Sequence, residues 1–292
     1  MIITNKYNLP QALVDFATRK DDTYVRDPQA YGATTLLNGV REIVLKRRHG
    51  DEIEQDISDM VWMLFGSAVH KIAESHDTSG ESEKDYRLVF ENGLALRGRV
   101  DYYNNTEKAV EDYKTCSVWK VIYQDFEDWR KQGVMYALLL AASGKKVVKL
   151  RFHALLKDWK AGDYRLALLQ NKFYPEHAMW TWEYELQPND FDEIVKFAGD
   201  KLKEVEKALL LTDDELPVCS PSERWNDGDK FAVMKNGRKT ALRVLDNEQD
   251  AKDYLAREGG DYIETRKGID RKCEDYCVVK QFCKHYQLTK GE

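Results

Sequence analysis

The sequence lacks several features that would assign it to a class at once. No apolar run approaches the length of about 18 residues that suggests a membrane-spanning helix, so we expect no membrane span. The N-terminus has no basic start followed by an apolar core, so we expect no signal peptide and a cytoplasmic chain. Neither internal repeats nor low-complexity stretches are apparent. At 292 residues the chain can bury one large core, or one core and a small appended domain.

An excess of positive charge is also missing. The chain has 45 Lys and Arg against 51 Asp and Glu, a formal net charge of −6, whereas proteins that bind nucleic acids tend to be basic. The distribution is uneven, because residues 230–292 hold 14 basic and 11 acidic residues. Basic clusters of this kind can follow phosphates, although each alone is more often a solvated surface. The clusters are Lys46-Arg47-Arg48, Arg97 with Arg99, Arg238-Lys239 and Arg271-Lys272.

Two carboxylates and a lysine close two adjacent segments that have the pattern of strands. LALRGRVDYY contains Asp101, and KAVEDYKT contains Asp112 and Lys114. Side chains two residues apart in a strand share a face, so Asp112 and Lys114 project together while Tyr113 points away and offers its carbonyl. Carboxylates can hold Mg²⁺ or Mn²⁺ with its waters, and a lysine can orient the attacking water. This set is the minimum for metal-assisted phosphodiester cleavage, although a lone Asp-x-Lys triplet is more often a surface pair.

Two predicted helices flank these strands. Residues 56–75 carry His70 and Glu74 one turn apart, and His70 is a candidate ligand through its neutral imidazole. Residues 125–144 place Gln132 and Tyr136 on one face, toward the strand edge. The alternative is packing alone, with His70 as a core histidine and the other pair as a polar helix rim. The first helix should bury a stripe of Met60, Met63, Leu64, Ala68 and Ile72.

In this order and spacing, the motifs resemble those of the PD-(D/E)XK nuclease superfamily. More narrowly they resemble RecB-like exonucleases, which include phage-type recombination exonucleases and CRISPR-adaptation exonucleases. The resemblance covers residues 55–190. The motifs are G-x-x-x-H-x-x-x-E from Gly66 to Glu74, G-x-x-D from Gly98 to Asp101, D-x-K from Asp112 to Lys114 and Q-x-x-x-Y from Gln132 to Tyr136.

The resemblance implies a fold and a site. The fold is α/β (α+β), a restriction-endonuclease-like core with a mixed central sheet flanked by helices. The metal would be held by His70, Asp101, Asp112 and the backbone carbonyl of Tyr113. The catalytic set would comprise Lys114, Asp112, Asp101, Gln132, Tyr136 and Glu74, with Gln132 and Tyr136 placing DNA or the water.

The resemblance also implies an activity. We expect a Mg²⁺- or Mn²⁺-dependent DNA exonuclease that serves phage-type recombination or DNA processing in a bacterial or phage-infected cytoplasm. It would act on single- or double-stranded DNA ends, with a single-strand annealing or recombination protein as a partner. One alternative is a CRISPR-adaptation-type nuclease that trims DNA ends. Another is a catalytically inactive DNA-end binding module.

Five cysteines form the second informative feature. Three of them make C-x3-C-x5-C, and Cys219 is the natural fourth ligand across an intervening hairpin. Clustered cysteines in a cytosolic chain are more often metal ligands than disulfides, and thiolates select zinc or iron–sulfur clusters. Cys116 is predicted to be a small buried hydrophobe. The triplet is Cys273, Cys277 and Cys283.

RecB-like exonucleases often carry a 4Fe–4S cluster, held by one distant cysteine and a C-terminal triplet, so the resemblance implies such a cluster here. Two departures leave Zn²⁺ open as an alternative. The distant cysteine follows the nuclease motifs instead of preceding them, and the triplet begins with a spacing of three. His285 could then serve as a zinc ligand, and a cysteine group without metal is a third possibility.

We expect three regions along the chain. These are an N-terminal helical region (1–54), the nuclease core (55–211) and a C-terminal module with a hairpin and the cysteine cluster (212–292). Strands are expected at 87–90, 94–103 and 109–114, and Asn236-Gly237 predicts a type I′ hairpin turn. The segment MWTWEYEL alternates, which predicts a strand whose aromatic face packs in the core.

Overall fold

The computed structural model describes residues 1–18, 27–74 and 80–290. By contact density the chain divides into two compact units. Unit 1 comprises Met1–Asn38 with Gly50–Leu210, and unit 2 comprises Gly39–His49 with Leu211–Glu292. In the described part of the chain, no helix is long and apolar enough to cross a membrane.

Helices and strands alternate along most of the described chain. The helices are α1 (Gln11–Thr18), α2 (Ala33–Leu36), α3 (Val40–His49), α4 (Ile57–Glu74), α5 (Val118–Ile122), α6 (Glu127–Ala142), α7 (Ala161–Leu169), α8 (Asp190–Ala208), α9 (Glu248–Glu258), α10 (Arg271–Asp275) and α11 (Lys284–Lys290). The strands are β1 (Ile2–Thr4), β2 (Ala30–Gly32), β3 (Glu54–Asp56), β4 (Glu81–Val89), β5 (Ala95–Asn104), β6 (Ala109–Cys116), β7 (Lys149–Leu156), β8 (Met179–Glu185), β9 (Lys230–Met234), β10 (Arg243–Leu245) and β11 (Tyr262–Arg266).

The central sheet of unit 1 mixes parallel and antiparallel strands. Its order is β2-β5-β6-β7-β8, with β4 paired to β5. Strands β6 and β7 run parallel, as do β2 and β5, and the other pairs are antiparallel. The path α4-β4-β5-β6-α6-β7 confirms the predicted fold class, a mixed sheet flanked by helices in the restriction-endonuclease-like arrangement.

Strand β5 has a gap on one edge. Its first edge pairs with β4 nearly along its whole length. Its second edge pairs with β2 only at 95–97 and with β6 only at 102–104. Within the described residues, positions 98–101 therefore have no strand neighbour on that edge. Gly98 and Asp101 both lie in this gap.

Helix α6 covers the middle of the sheet. In β7 every second residue is buried, including Leu150 and Phe152. Gly133 of α6 lies against these two side chains, and a Cβ at position 133 would come within 2.7 Å of Leu150 Cδ1. This close approach sets the depth at which α6 meets the sheet, and with it the position of Gln132.

The start of α4 is fixed by Asp56, a buried carboxylate directly before the helix. Its Oδ1 accepts hydrogen bonds from the backbone N–H and the hydroxyl of Ser58, and its Oδ2 accepts from Lys6 N–H and Thr4 Oγ1. These donors stabilise the ionised form, led by Lys6 N–H, and hold the pKa of Asp56 well below its ordinary value. The N-terminal segment and α4 are thereby joined.

The predicted apolar stripe of α4 is confirmed in part. Met60 and Leu64 are buried against α1, where Leu13 and Val14 contact them. Met63 and Ala68 are exposed, so their assignment to the stripe was wrong, and the side chain of Ile72 lies outside the described residues. Position 63 lies roughly 100° around the helix from position 64, beyond the edge of the face that 60 and 64 share.

The aromatic strand β8 alternates as predicted. Trp180, Trp182 and Tyr184 are half-buried, while the residues between them are exposed. Trp182 lies within 5.6 Å of Phe152 and 5.2 Å of Phe126, ring centre to ring centre. The stripe therefore contributes to the core beside α6.

Unit 2 contains a three-stranded antiparallel sheet of order β10-β9-β11. The predicted hairpin forms, but the predicted type I′ turn was wrong. Strand β9 ends at Met234 and β10 begins at Arg243, and of the two turn residues only Gly237 has a positive φ, of 80°. A type I′ turn needs positive φ at both central residues.

Helix α3 belongs to unit 2 although it lies far away in sequence. Arg41 is 4% exposed, and its guanidinium donates hydrogen bonds to the carbonyls of Leu216 and Pro217. Lys272 forms an ion pair with Glu42 at 2.6 Å. The buried guanidinium is thus satisfied by backbone acceptors from the second segment of the unit.

Candidate metal centre and catalytic site

The site forms where β5 and β6 separate. The two strands pair from Tyr102 opposite Glu111 toward the turn, and the pairing stops before Asp101 and Asp112. Beyond that point the backbones of β5 and β6 no longer exchange hydrogen bonds. Tyr113 N–H instead donates a hydrogen bond to Oδ2 of the Asp101 side chain, at 3.0 Å. The separation of the strands creates room for side chains between them.

Three ligand atoms converge in this space. A nitrogen of His70 and one carboxylate oxygen each of Glu83 and Asp101 all lie within 4.8 Å of one another. His70 Nδ1 is 3.2 Å from Asp101 Oδ2, and that contact raises the pKa of His70 above its ordinary value. All three side chains are partly exposed, so a hydrated ion could reach them. The structure therefore brings together two of the predicted ligands, His70 and Asp101.

Glu83 is the residue that sequence reasoning missed. It lies in β4 opposite Asp101, between the pairs formed by Ser82 and Lys84, and its own pairing is interrupted. Its φ is +51°, in the left-handed region that non-glycine residues rarely adopt. A signal was present, because counting back through the hairpin from the turn at residues 91–93 puts position 83 opposite 101. The strand had been predicted to begin only at Arg87.

Asp112 and Lys114 lie next to these ligands and contact each other. Asp112 is 1% exposed, and its Oδ2 lies 2.5 Å from Lys114 Nζ. Among the described residues, Oδ2 makes this close ion pair and no other hydrogen bond. Burial raises the pKa of Asp112 to about 6, although the charge of Lys114 acts in the opposite direction. The charges of Asp101 and His70 also affect the pKa of Asp112, so these groups act as one electrostatic cluster.

Gln132 and Tyr136 lie beneath Asp112. Gln132 Nε2 donates a hydrogen bond to Asp112 Oδ1 at 3.1 Å and another to the Tyr136 hydroxyl at 3.0 Å. Both residues are nearly fully buried, and burial keeps the pKa of Tyr136 far above its ordinary value. In this position they orient the Asp112 carboxylate. Burial leaves Gln132 little surface for contact with DNA, whereas Tyr136 contributes to the wall of a cavity.

The two motif glycines, Gly98 and Gly66, differ in their steric surroundings. A Cβ at Gly98 would lie 2.7 Å from Tyr136 Cε1 and 2.8 Å from Leu139 Cδ1, so no other residue fits without displacing α6. A Cβ at Gly66 would lie 3.4 Å from Thr115 Oγ1, which is ordinary contact. The first glycine therefore lets Tyr136 pack directly on β5.

The remaining residues that were predicted at or near the site are Tyr113, Glu74 and Cys116. The Tyr113 ring stacks on His153 with centroids 5.3 Å apart, on the face away from Asp112 and Lys114, as predicted from strand alternation. The use of its carbonyl as a ligand stays a prediction. Glu74 is the last residue of α4, and its side chain lies outside the described residues. Cys116 is partly buried, which raises the pKa of its thiol to about 11.

The donor set matches a hard divalent cation. Two carboxylates and one imidazole are available together, and a buried acceptor with no further hydrogen bond, Asp112 Oδ2, lies beside them. Carboxylate oxygen suits Mg²⁺ and Mn²⁺, and imidazole shifts the preference toward Mn²⁺ and other transition metals. A cation would also offset the negative charges that now raise the pKa of Asp112. The residues present therefore fit the predicted metal.

The cysteines of unit 2 form a separate group. The Cys273 thiol is influenced by the charges of the other three, Cys277, Cys219 and Cys283, so all four are electrostatic neighbours. Burial raises the pKa of Cys273 to about 12 and that of Cys277 to about 11. Cys219 lies against Gly39, where a Cβ would come within 2.4 Å of its sulfur. The structure thus places the distant cysteine with the triplet.

His285 is directed at other partners. Its Nε2 lies 2.9 Å from Arg224 Nη1 and 3.5 Å from Asp270 Oδ2. The four cysteines also do not form a compact set. Among the described residues, only His70, Glu83 and Asp101 form a group of three whose ligand atoms are within 4.8 Å.

Unit 1 also has a cavity that lies away from the candidate metal centre. It measures 570 Å³, and none of the site residues named above lines it. Phe126, Trp180 and Trp182 are among its walls. Volume alone therefore does not identify the functional site, and the converging ligand atoms are the stronger guide.

Known proteins show only distant likenesses to this chain. No protein-family model and no curated protein matches the chain. Among solved structures it is similar to SSO0001, with 16% sequence identity and a TM-score of 0.46, over 66% of this chain and 82% of that chain. It is also similar to a phage-related exonuclease from Haemophilus somnus 129PT, with 14% identity and a TM-score of 0.31, over 57% of this chain and 79% of that chain. At these scores neither likeness carries an argument about the site, which stands on its own geometry.

Proposed function

We propose that unit 1 is a Mg²⁺- or Mn²⁺-dependent deoxyribonuclease that hydrolyses phosphodiester bonds at DNA ends. The observation that carries the proposal is the convergence of His70, Glu83 and Asp101 beside the ion pair of Asp112 and Lys114. Ligand atoms and a lysine on adjacent strands provide the parts that hydrolysis of a phosphate diester requires. The order of the sequence motifs supports the same reaction.

The protein groups have distinct roles in this proposal. A divalent cation bound by His70, Glu83 and Asp101 would polarise a water and offset charge on the phosphate. Asp112 would be a further ligand of that cation, and Lys114 beside it would orient the water or stabilise the charge that develops on the phosphate oxygens. Gln132 holds Asp112 in the required orientation through its hydrogen bond to Oδ1.

The finer parts of the proposal rest on the motif resemblance. We propose an exonuclease of phage-type recombination or DNA processing, with a single-strand annealing or recombination protein as its partner. The CRISPR-adaptation nuclease would use the same site, so only its substrate ends and its partner would differ. The inactive DNA-end binding module predicts instead that Asp112→Ala leaves function intact.

The test is digestion of linear DNA labelled at either end, single-stranded or duplex, with Mg²⁺, Mn²⁺ or EDTA. We expect metal-dependent release of label, with the labelled end giving the polarity. Lys114→Ala should reduce the rate by about 100-fold or more. The matched control is Lys196→Ala, an exposed lysine of α8 that should retain the wild-type rate. Cleavage that survives in Lys114→Ala, or no cleavage of any substrate, would refute the nuclease.

For unit 2 we propose a 4Fe–4S cluster held by Cys219, Cys273, Cys277 and Cys283. The support is that Cys219, Cys277 and Cys283 all lie close enough to Cys273 to affect the pKa of its thiol. Anaerobic purification should give visible absorbance and about four irons per chain. Cys277→Ser should lose both signals, whereas Cys116→Ser, in unit 1, should keep them. Zinc without iron in the wild type would favour the alternative.

A further inference from the structure

A cavity beside the metal centre has arginines in its wall. It measures 330 Å³ and lies at the gap in β5, with Gly98 and Tyr136 among its lining residues. Arg97 and Arg99 line it from β5, and Thr34 and Thr35 line it from α2. Neither arginine has a role in the mechanism above. Their guanidinium groups and the threonine hydroxyls are donors suited to an anion, and the Asp85 carboxylate in the same wall pairs with both arginines.

The arginines are aligned with the metal ligands. Residues 97, 99 and 101 alternate with buried neighbours, so their side chains share one face of β5. Alternate residues of a strand are about 6.8 Å apart, which puts Arg99 one step and Arg97 two steps from Asp101. This repeat is close to the spacing of successive phosphates along a nucleic-acid strand.

Both guanidinium groups are held in place by one carboxylate. Arg97 Nη2 lies 3.2 Å from Asp85 Oδ1, and Arg99 Nη2 lies 2.9 Å from Asp85 Oδ2. Asp85 stands directly opposite Arg99 in β4, and its pKa is lowered by these two partners against the effect of burial. Side chains fixed in this way are pre-organised for a ligand. They retain exposed surface, 17% for Arg97 and 32% for Arg99.

We propose that this cavity binds the phosphodiester backbone of the cleaved DNA strand. Arg99 and Arg97 would contact the two phosphates that follow the one at the metal centre, with Thr34 and Thr35 as further donors. The planar fork of arginine matches two phosphate oxygens at once. The inference rests on the proposed nuclease function and adds the direction in which the substrate strand leaves the metal, along β5 toward β2.

The experiment measures DNA binding as a function of salt in the full chain carrying Lys114→Ala, which prevents cleavage. A labelled oligonucleotide and a labelled hairpin duplex are titrated at salt concentrations from about 50 to about 200 mM. The Arg97→Gln/Arg99→Gln variant should bind at least tenfold more weakly. Its log–log salt slope should be shallower by about 1.4 for a single strand or about 1.8 for a duplex.

Three controls separate phosphate contact from a structural role. Arg165→Gln, an exposed arginine of α7 outside the cavity, should leave the slope unchanged. Arg97→Lys/Arg99→Lys keeps the charge and should restore the slope while recovering only part of the affinity, because lysine lacks the fork. Mn²⁺ binding of the glutamine variant should match the parent, while its melting temperature should fall only slightly, because Asp85 loses two ion-pair partners.

The outcomes also separate this inference from the proposed function. If the parent binds DNA and the glutamine variant keeps its slope, the phosphate site is refuted while the nuclease stands. If wild type cleaves nothing yet the slope depends on the two arginines, the nuclease fails and the phosphate site is supported. A parent that binds no DNA overturns both.

Discussion

The carboxylate of Asp112 should destabilise the metal-free protein, and its replacement by asparagine should therefore raise stability. Asp112 is 1% exposed and burial raises its pKa from 3.8 to about 6. That shift already includes the attraction of Lys114. A shift of about 2 units corresponds to about 3 kcal/mol at neutral pH. Asparagine keeps the shape and the acceptor for Gln132 but carries no charge, so it should recover most of this free energy.

The effect has a defined dependence on pH. An acid whose pKa is raised by folding weakens the fold above its unfolded pKa, and the penalty is complete only above its folded pKa. The stability difference between Asp112→Asn and wild type should therefore be about 3 kcal/mol at pH 7 and about 1 kcal/mol at pH 4.5. It should vanish below the unfolded pKa of 3.8.

The assay is urea and thermal unfolding in EDTA. For a unit of this size the variant should melt about 6–12 °C higher than wild type at pH 7. Asp192→Asn, an exposed carboxylate of α8, is the matched control and should change the melting temperature little. Added Mn²⁺ should stabilise wild type more than the variant, since binding to the folded state raises stability. Equal or lower stability of the variant at pH 7, or a difference independent of pH, would refute the reasoning.

Other residues give further tests. Glu83→Gln should weaken Mn²⁺ binding at least tenfold by calorimetry, because even residues that only support metal ligands contribute 10- to 100-fold to metal affinity. Glu91→Gln, in the hairpin turn, is the control. Unchanged Mn²⁺ affinity of Glu83→Gln would remove Glu83 from the ligand set. Gly98→Ala should cost about 1–3 kcal/mol in urea unfolding, since its Cβ would lie 2.7 Å from Tyr136; Gly162→Ala, which meets nothing within 4 Å, should not. Arg41→Met should lower the stability of unit 2 by about 1–3 kcal/mol, because two carbonyls lose their donor; wild-type melting would contradict this account.

Local patterns were sufficient where one element determines the outcome. Helical spacing put Gln132 and Tyr136 on one face, and the structure has them joined by a hydrogen bond beneath Asp112. Strand alternation separated Tyr113 from Asp112 and Lys114. These results follow from the fixed periods of helix and strand, which a sequence displays directly.

Patterns failed where the partner lies far along the chain. Glu83 lies in the charged run ESEKDYR, which has no β-rich character, and only the register of β4 against β5 puts it opposite Asp101. The connection that contains Asn236-Gly237 is longer than the predicted two-residue turn, because β9 ends at Met234 and β10 begins only at Arg243. Nor does any local signal show that Arg41 donates to Leu216, because that contact joins residues 175 positions apart.

Helix α3 contacts residues that are translated much later, and this has a consequence for folding on the ribosome. Helix α3 emerges early, but Leu216, Pro217 and the four clustered cysteines all come after residue 210. At the usual elongation rate, its partners follow roughly 10–30 s later. During that interval Arg41 must remain hydrated or be held by a chaperone. Any group carried by the cysteines can be loaded only after the last of them, Cys283, has left the exit tunnel, so unit 1 can fold before unit 2 is complete.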